Sequence, residues 1–169
     1  MGTVKNLEHQ EAIKKMQDLA DQIKTCMFCT KVDEMPFATR PMSTLEVDDE
    51  GQFWFFSADK SHKNFEIHQD RQVQLIYAKP NSSEYMTVYG KAHLVHDTSK
   101  IDELWNPLAK AWFKEGKNDP NLTLIMVKPE HAHYWDTLFG KMITLFSVAY
   151  SAVSGKKTDN GVEGELTLD

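Results

Sequence analysis

The residues best placed to do chemistry in this chain lie between Pro36 and Lys63. Arg40 sits in an apolar run and is followed by Pro41, which cannot donate to a sheet ladder and suits a strand edge or bulge. Lys63 follows a tight connection, Ser57-Ala58-Asp59-Lys60-Ser61, and Ser61 is placed to cap a short helix beginning at His62. A guanidinium is a planar fork of donors, a lysine ammonium is a point charge, and a helix start presents unpaired backbone N–H groups. Converging at one point, they make a site for an anion. The neighbouring run Phe53-Trp54-Phe55-Phe56 is too aromatic for a solvated strand, so it is half-buried or walls a flat ligand.

Two other groupings carry residue types suited to chemistry. Cys26 and Cys29, the only cysteines, form a CxxC in a β-like context, TCMFCTKV. In an extended segment residues three apart point to opposite faces, and no second pair completes a zinc site, so small apolar strand residues are the expectation. His131-x-His133 places two imidazoles on one strand face, but a metal needs further ligands, from His93 or His96, and no carboxylate cluster accompanies them. Partly exposed strand histidines are the better reading, and no metal is expected. Asp48-Asp49-Glu50 reads as a hairpin turn rather than a calcium loop, and neither a nucleophile elbow nor a Walker loop is present.

The elements that must position these residues follow from periodicity. Asn6 to Lys24 reads as an amphipathic helix with Ile13, Met16, Ala20 and Ile23 on one stripe. Strands are predicted over 25–32, 35–47, 52–57, 72–79 and 84–96. The second and third form a hairpin around Asp48-Asp49-Glu50-Gly51. Gly90 interrupts the fifth strand and predicts a bulge or a close backbone approach. Between them lies a helix over 62–69. After Thr98 the period turns helical, and Asn106-Pro107 reads as the cap and first position of a second short helix. A sixth strand covers 122–128 and continues or restarts over 132–135. A further helix is expected over 139–154. The segment 155–169 is expected to be a loose tail, with a possible edge strand at 165–168. The whole is one domain over 1–169. It is an α+β fold, mainly β: a β-barrel of six to seven antiparallel strands with peripheral helices.

Composition bounds the function. The 169 residues are enough for one core, with 41% hydrophobic residues and a net charge of −6. The acidic balance argues against nucleic-acid binding, which wants a basic stripe. The longest apolar run, Met142 to Val153, is too short to span a bilayer. The first residues lack an apolar signal core, and Asn6 stands where a myristoylation motif wants Ser or Thr, so a cytoplasmic protein is expected.

Several pieces then match in order and spacing. They are Arg40-Pro41-Met42-Ser43, Phe56-Ser57, Ser61-His62-Lys63, Tyr89-Gly90-Lys91-Ala92, Trp112-Phe113 before Asp119-Pro120, and Tyr134-Trp135 after Lys128-Pro129-Glu130. From about Asp18 to Trp135 the chain resembles the flavin-binding split barrels. Within them it is most similar to the pyridoxamine-phosphate-oxidase-like proteins of the general stress group.

The resemblance implies FMN, with FAD as the alternative, held at the interface of a homodimer. It implies that Arg40 and Lys63 neutralise the flavin phosphate, that Ser57 and Ser61 hydrogen-bond it, and that backbone N–H groups near His62 assist. It implies further that Pro41, Met42 and Ser43 follow the ring edge and Phe56 flanks the ring. Tyr85 and Trp135 would be supplied by the partner subunit. Members that oxidise pyridoxamine phosphate carry an Arg-x-His segment after the tryptophan, whereas here Trp135 is followed by Asp136-Thr137-Leu138. They also show Ser-Arg-Lys where this chain has Ser61-His62-Lys63, and glutamine at Tyr85. The expected function is flavin-dependent redox chemistry on a small molecule other than pyridoxamine phosphate. The alternative is a stress protein that binds or sequesters flavin without turnover.

Overall fold

The computed structural model describes residues 3–137 and 161–168. In chain order these form β1 (Thr3–Val4), β2 (Leu7–Glu8), α1 (His9–Ile23), β3 (Thr25–Thr30), β4 (Ala38–Ser43), β5 (Glu46–Val47) and β6 (Phe53–Ala58). Then come α2 (His62–Gln69), β7 (Gln72–Lys79), β8 (Glu84–Val95), α3 (Thr98–Leu104), β9 (Leu122–Thr137) and β10 (Gly161–Thr167). A 3-10 turn over Pro107–Ala111 follows α3, with the Asn106 side chain accepting from Ala109 N at its start.

The strands form one sheet ordered β1-β10-β9-β8-β7-β3-β4, with β6 on the other edge of the first half of β9. The architecture is the split-barrel α+β fold. Of the ten strands, β1, β2 and β5 have two residues each, which leaves seven long ones. All pairings are antiparallel except those of β1 and β2, which run parallel to β10.

Alternation along the strands decides what faces the core. One row of paired residues runs Arg40–Phe28–Leu75–Val88–Ala132–Leu166, and all but Arg40 are buried. The next row out, Pro41–Met27–Ile76–Thr87–His133–Glu165, faces away. Helix α1 covers the inner face with Ala12, Met16, Leu19 and Ala20. A second cluster packs Trp54, Leu122 and Leu124 under Ile101, Ala109 and Phe113.

Several expectations are corrected. Strand 35–47 is two strands, because at Thr44-Leu45 the chain changes partners. Thr44 N donates to Lys24 O, and Leu45 N donates to Trp54 O, both at 2.8 Å. The hairpin around Gly51 therefore closes only on β5 and the start of β6, while the Arg40 strand pairs with β3. Its turn is held by Asp48, whose Oδ1 accepts from Glu50 N and Gln52 N and whose Oδ2 accepts from Trp54 Nε1. Helix α1 begins at His9 rather than Asn6, since Leu7 and Glu8 pair with β10. Strands 122–128 and 132–135 are one continuous strand.

Residues 161–167, expected within a loose tail with an edge strand near its end, form a strand flanked on both sides by β9 and by β1 and β2. Val162 and Leu166 are buried there, and Gly164 allows the Lys5 carbonyl a contact that a Cβ would block. The predicted helix over 139–154 and the tail's first residues lie outside the described residues.

Gly90 fulfils its expectation. The ladder between β8 and β9 shifts register at Tyr89/Gly90, and a Cβ on Gly90 would collide with the Lys128 carbonyl and stand 2.9 Å from Pro129 Cα. This kink lets the β8–β9 pair serve both halves of the barrel.

Candidate functional site

The site forms where β4, the end of β6 and the start of α2 meet. Arg40 is on the inward side of β4, at the margin of the core. Its Nη1 donates to Thr30 Oγ1 at 2.6 Å, and its Nη2 donates to Glu66 Oε2 at 2.8 Å. Glu66 is only 4% exposed and also accepts from Thr30 Oγ1 at 2.5 Å, while its Oε1 lies 3.1 Å from His62 Nδ1. Burial pushes its carboxyl up, but the hydrogen bonds from Thr30 and Arg40, the Arg40 charge and the His62 bond outweigh this. The carboxyl is left below its ordinary range.

The connection from β6 to α2 is pinned by a buried amide. Asn64 accepts from Ser57 Oγ at 2.6 Å and donates through Nδ2 to the carbonyls of Ala58 and Asp59. Ser61 is the helix N-cap residue as expected, but its hydroxyl makes no capping bond. Its carbonyl accepts from Asn64 N and Phe65 N, as an N-cap carbonyl does. The hydroxyl instead lies 3.4 Å from Ser57 Oγ and accepts from Lys63 Nζ at 3.2 Å. Lys63 is half-buried, and burial followed by the Arg40 charge lowers its pKa from the ordinary lysine value. No ion pair joins Lys63 to a carboxylate among the described residues.

The predicted residues thus separate into three groups. Arg40, Ser57, Ser61, His62 and Lys63 come together. Pro41 and Ser43 are exposed and point outward, while Met42 is half-buried against the main core. Strand β4 ends the sheet path, which leaves its outer edge unpaired among the described strands.

Phe56 points to the other side of β6 from Ser57, with its ring 5.8 Å from Trp105 and 6.2 Å from Phe113. It belongs to the second cluster and does not join Arg40 and Lys63. Tyr85 and Trp135 are direct cross-strand partners on the outward face, opposite in sense to the row that carries Arg40.

Sequence reasoning missed Thr30, Asn64 and Glu66. Only Glu66 had a signal: it stands four residues after His62, on the same helix face.

His131 and His133 share the outward face and line a shallow hollow of about 200 Å3 with Gln74, Thr87, Tyr89 and Glu165. His93 and His96 do not join them. His93 is opposite Met126, and His96 lies 3.2 Å from Thr123 Oγ1 and 3.6 Å from Asp59 Oδ1. No cluster of three or more metal-type ligands occurs among the described residues. Both cysteines are free and buried, and burial pushes the Cys26 thiol up to about 12. No helix among the described residues is long and apolar enough to cross a membrane.

Residues 11–159 match the family model described as pyridoxamine 5'-phosphate oxidase like. The chain belongs to this family. A structure of a general stress protein 26 from Jannaschia sp. CCS1 superposes with a TM-score of 0.77 at 22% identity, covering 92% of this chain and 97% of that one, which shows the shared fold. A general stress FMN/FAD binding protein from Xanthomonas citri is 26% identical with a TM-score of 0.63, over 74% of this chain and 87% of that one.

General stress protein 26 of Bacillus subtilis is 29% identical over 77 residues, which is 44% of this chain and 54% of that protein. The chain spans about half the length of the curated relatives it matches. The names of these similar proteins thus refer both to stress and to FMN/FAD binding.

Proposed function

We propose that this protein binds FMN, phosphate end first, at the meeting of β4, β6 and α2, and that it serves flavin-dependent redox chemistry on a small molecule. The observation that carries this reading is the Lys63 ammonium: half-buried, beside a guanidinium, and bonded to a serine hydroxyl instead of a carboxylate. Glu66 neutralises Arg40, but the Lys63 ammonium beside it stays partly out of water with no carboxylate of its own among the described residues, a strain that an arriving anion would relieve. A phosphate monoester supplies nearly two charges and three acceptor oxygens, matched by Arg40, Lys63, Ser61 and the N–H groups at the start of α2.

The unpaired edge of β4 at Pro41, Met42 and Ser43 offers backbone groups to the polar edge of a flavin ring. Ring-flanking surface does not come from Phe56, which is committed elsewhere. FMN suits this arrangement better than FAD, because one compact cationic cluster serves a terminal phosphate. The relative from Xanthomonas citri named for FMN/FAD binding supports flavin of either kind.

Tyr85 and Trp135 face away from Arg40 within one chain, so they reach a flavin only across a subunit boundary. We therefore read the outward sheet face as the contact between two copies, with the flavin between them. The bound cofactor would supply the electron chemistry, and this chain would orient it and limit its contact with water. Free thiols at both cysteines suit a reducing cytoplasm.

One observation favours the second reading, a flavin-holding protein without turnover. Glu66, the acid nearest the site, is already bonded to Thr30, Arg40 and His62, so its carboxylate is not free to serve as a proton donor or base. The absorbance spectrum of purified protein with added FMN tests the shared core of both readings. A perturbed flavin band and a raised melting temperature are expected. A spectrum identical to free FMN with no thermal shift would defeat both.

A further inference from the structure

Arg40 has five N–H donors, and three of its contacts are internal: Nη1 to Phe28 O and Thr30 Oγ1, and Nη2 to Glu66 Oε2. Thr30 and Glu66 are themselves bonded to each other, so they hold the end of the guanidinium as a unit. The remaining donors, Nε–H and one hydrogen of Nη2, form a side edge with no acceptor among the described residues. The second Glu66 oxygen is held by His62, which fixes the carboxylate against rotation.

We propose that Glu66 is a positioning residue that locks Arg40 by its end, so that the guanidinium presents its side edge as a two-donor fork to the flavin phosphate and thereby gives the site its preference for a phosphorylated flavin. The inference rests on the flavin reading of this site and adds a specificity determinant to it. Charge alone would assign Glu66 the opposite effect. A buried carboxylate 2.8 Å from the guanidinium cancels one of the two cations, and its removal would strengthen attraction for any anion. Geometry and charge therefore predict opposite signs, and the sign decides between them. A fork of parallel charge-assisted bonds depends on orientation, whereas a loose guanidinium on a flexible stem must be ordered at each binding event.

The test is titration of wild type, Glu66→Gln, Thr30→Val, Arg40→Ala and the Glu66→Gln/Arg40→Ala double variant with FMN and with riboflavin, which lacks the phosphate. Flavin fluorescence is the readout. Wild type is expected to prefer FMN. Glu66→Gln is expected to lose roughly ten-fold or more of that preference, with riboflavin affinity little changed. In the Arg40→Ala background the same substitution should add nothing, since it acts through the missing side chain.

Tighter FMN binding by Glu66→Gln, or an unchanged preference, overturns the proposal while leaving the flavin reading intact. A wild type that binds both flavins equally overturns the reading of the site and this inference with it. If Glu66→Gln does not fold, Thr30→Val removes the other half of the lock. A full preference in that variant overturns the proposal, and a reduced one supports it.

Discussion

Arg40 and Glu66 meet at 2.8 Å, Nη2 to Oε2, although they stand on different elements and 26 positions apart in sequence. The carboxylate is almost wholly buried and the guanidinium is a quarter exposed, so the pair points one charge inward and offers the other at the surface. Lys63, three residues before Glu66 on the same helix, has no such ion pair among the described residues. The proposed phosphate site rests on this asymmetry, and the first prediction follows from it.

Lys63→Ala should weaken FMN binding by roughly 1.5–3 kcal/mol, the range for a hydrogen bond to a charged group, and leave riboflavin binding nearly unchanged. A fluorescence titration with each ligand checks it. The lowered lysine pKa adds a pH arm. Bound phosphate favours the charged ammonium, so affinity for FMN should fall as pH rises through the free protein's lysine value, below the ordinary range. Equal affinity for FMN in Lys63→Ala and wild type would remove the phosphate role.

Acid should destabilise the protein in part through Glu66. Its folded-state pKa is depressed, so its contribution is present above the unfolded carboxylate value and is lost as pH falls through the lower folded value. Unfolding free energy measured by denaturant at neutral and at acid pH should decline across that window. The decline should be shallower in Glu66→Gln, which cannot titrate there. Parallel curves for the two proteins would contradict it.

Gly90→Ala should cost at least about 2 kcal/mol, because the added methyl meets the backbone of Lys128 and Pro129 rather than a yielding side chain. For a chain of this size that is a fall in Tm of roughly 4–8 °C, readable by thermal melting. A variant as stable as wild type would show that the strand crossing is looser than drawn.

A site shared between two copies, as proposed, makes a prediction that one chain alone cannot meet. Arg40→Ala and Trp135→Ala should each bind FMN poorly as homodimers. Mixed dimers of the two should recover one intact site of two, seen as half-stoichiometric binding after co-refolding. Absence of recovery would argue that Trp135 serves the chain that carries it.

Local pattern determined most of the elements. Helix α2 and strand β7 stand at their predicted bounds, because the tight connection ending at Ser61 and the alternation of Val73, Leu75 and Tyr77 are signals contained within a few residues, even though the Ser61 hydroxyl makes no capping bond. Gly90 was legible as a bulge for the same reason. The residue types of the proposed anion site are local information too, since Arg40, Ser57, Ser61 and Lys63 declare their chemistry by kind. What the sequence left open was pairing and direction. The chain gave no sign that β4 leaves the Asp48 hairpin to join β3, because that choice is made by Lys24 and Tyr77 on distant elements.

Nor could the sequence say that Phe56 turns toward Trp105 while Ser57 turns toward Asn64. Alternation gives opposite faces, but only the packed structure says which face meets which neighbour. Glu66 shows the limit most clearly. On a helix it reads as a solvated charge, and it became a buried partner of Arg40 only because folding carried α2 across the end of β3. The chemistry of each side chain is a local property. Its burial, its partner and its orientation are products of contacts between segments far apart in the chain, and those are set by the tertiary structure.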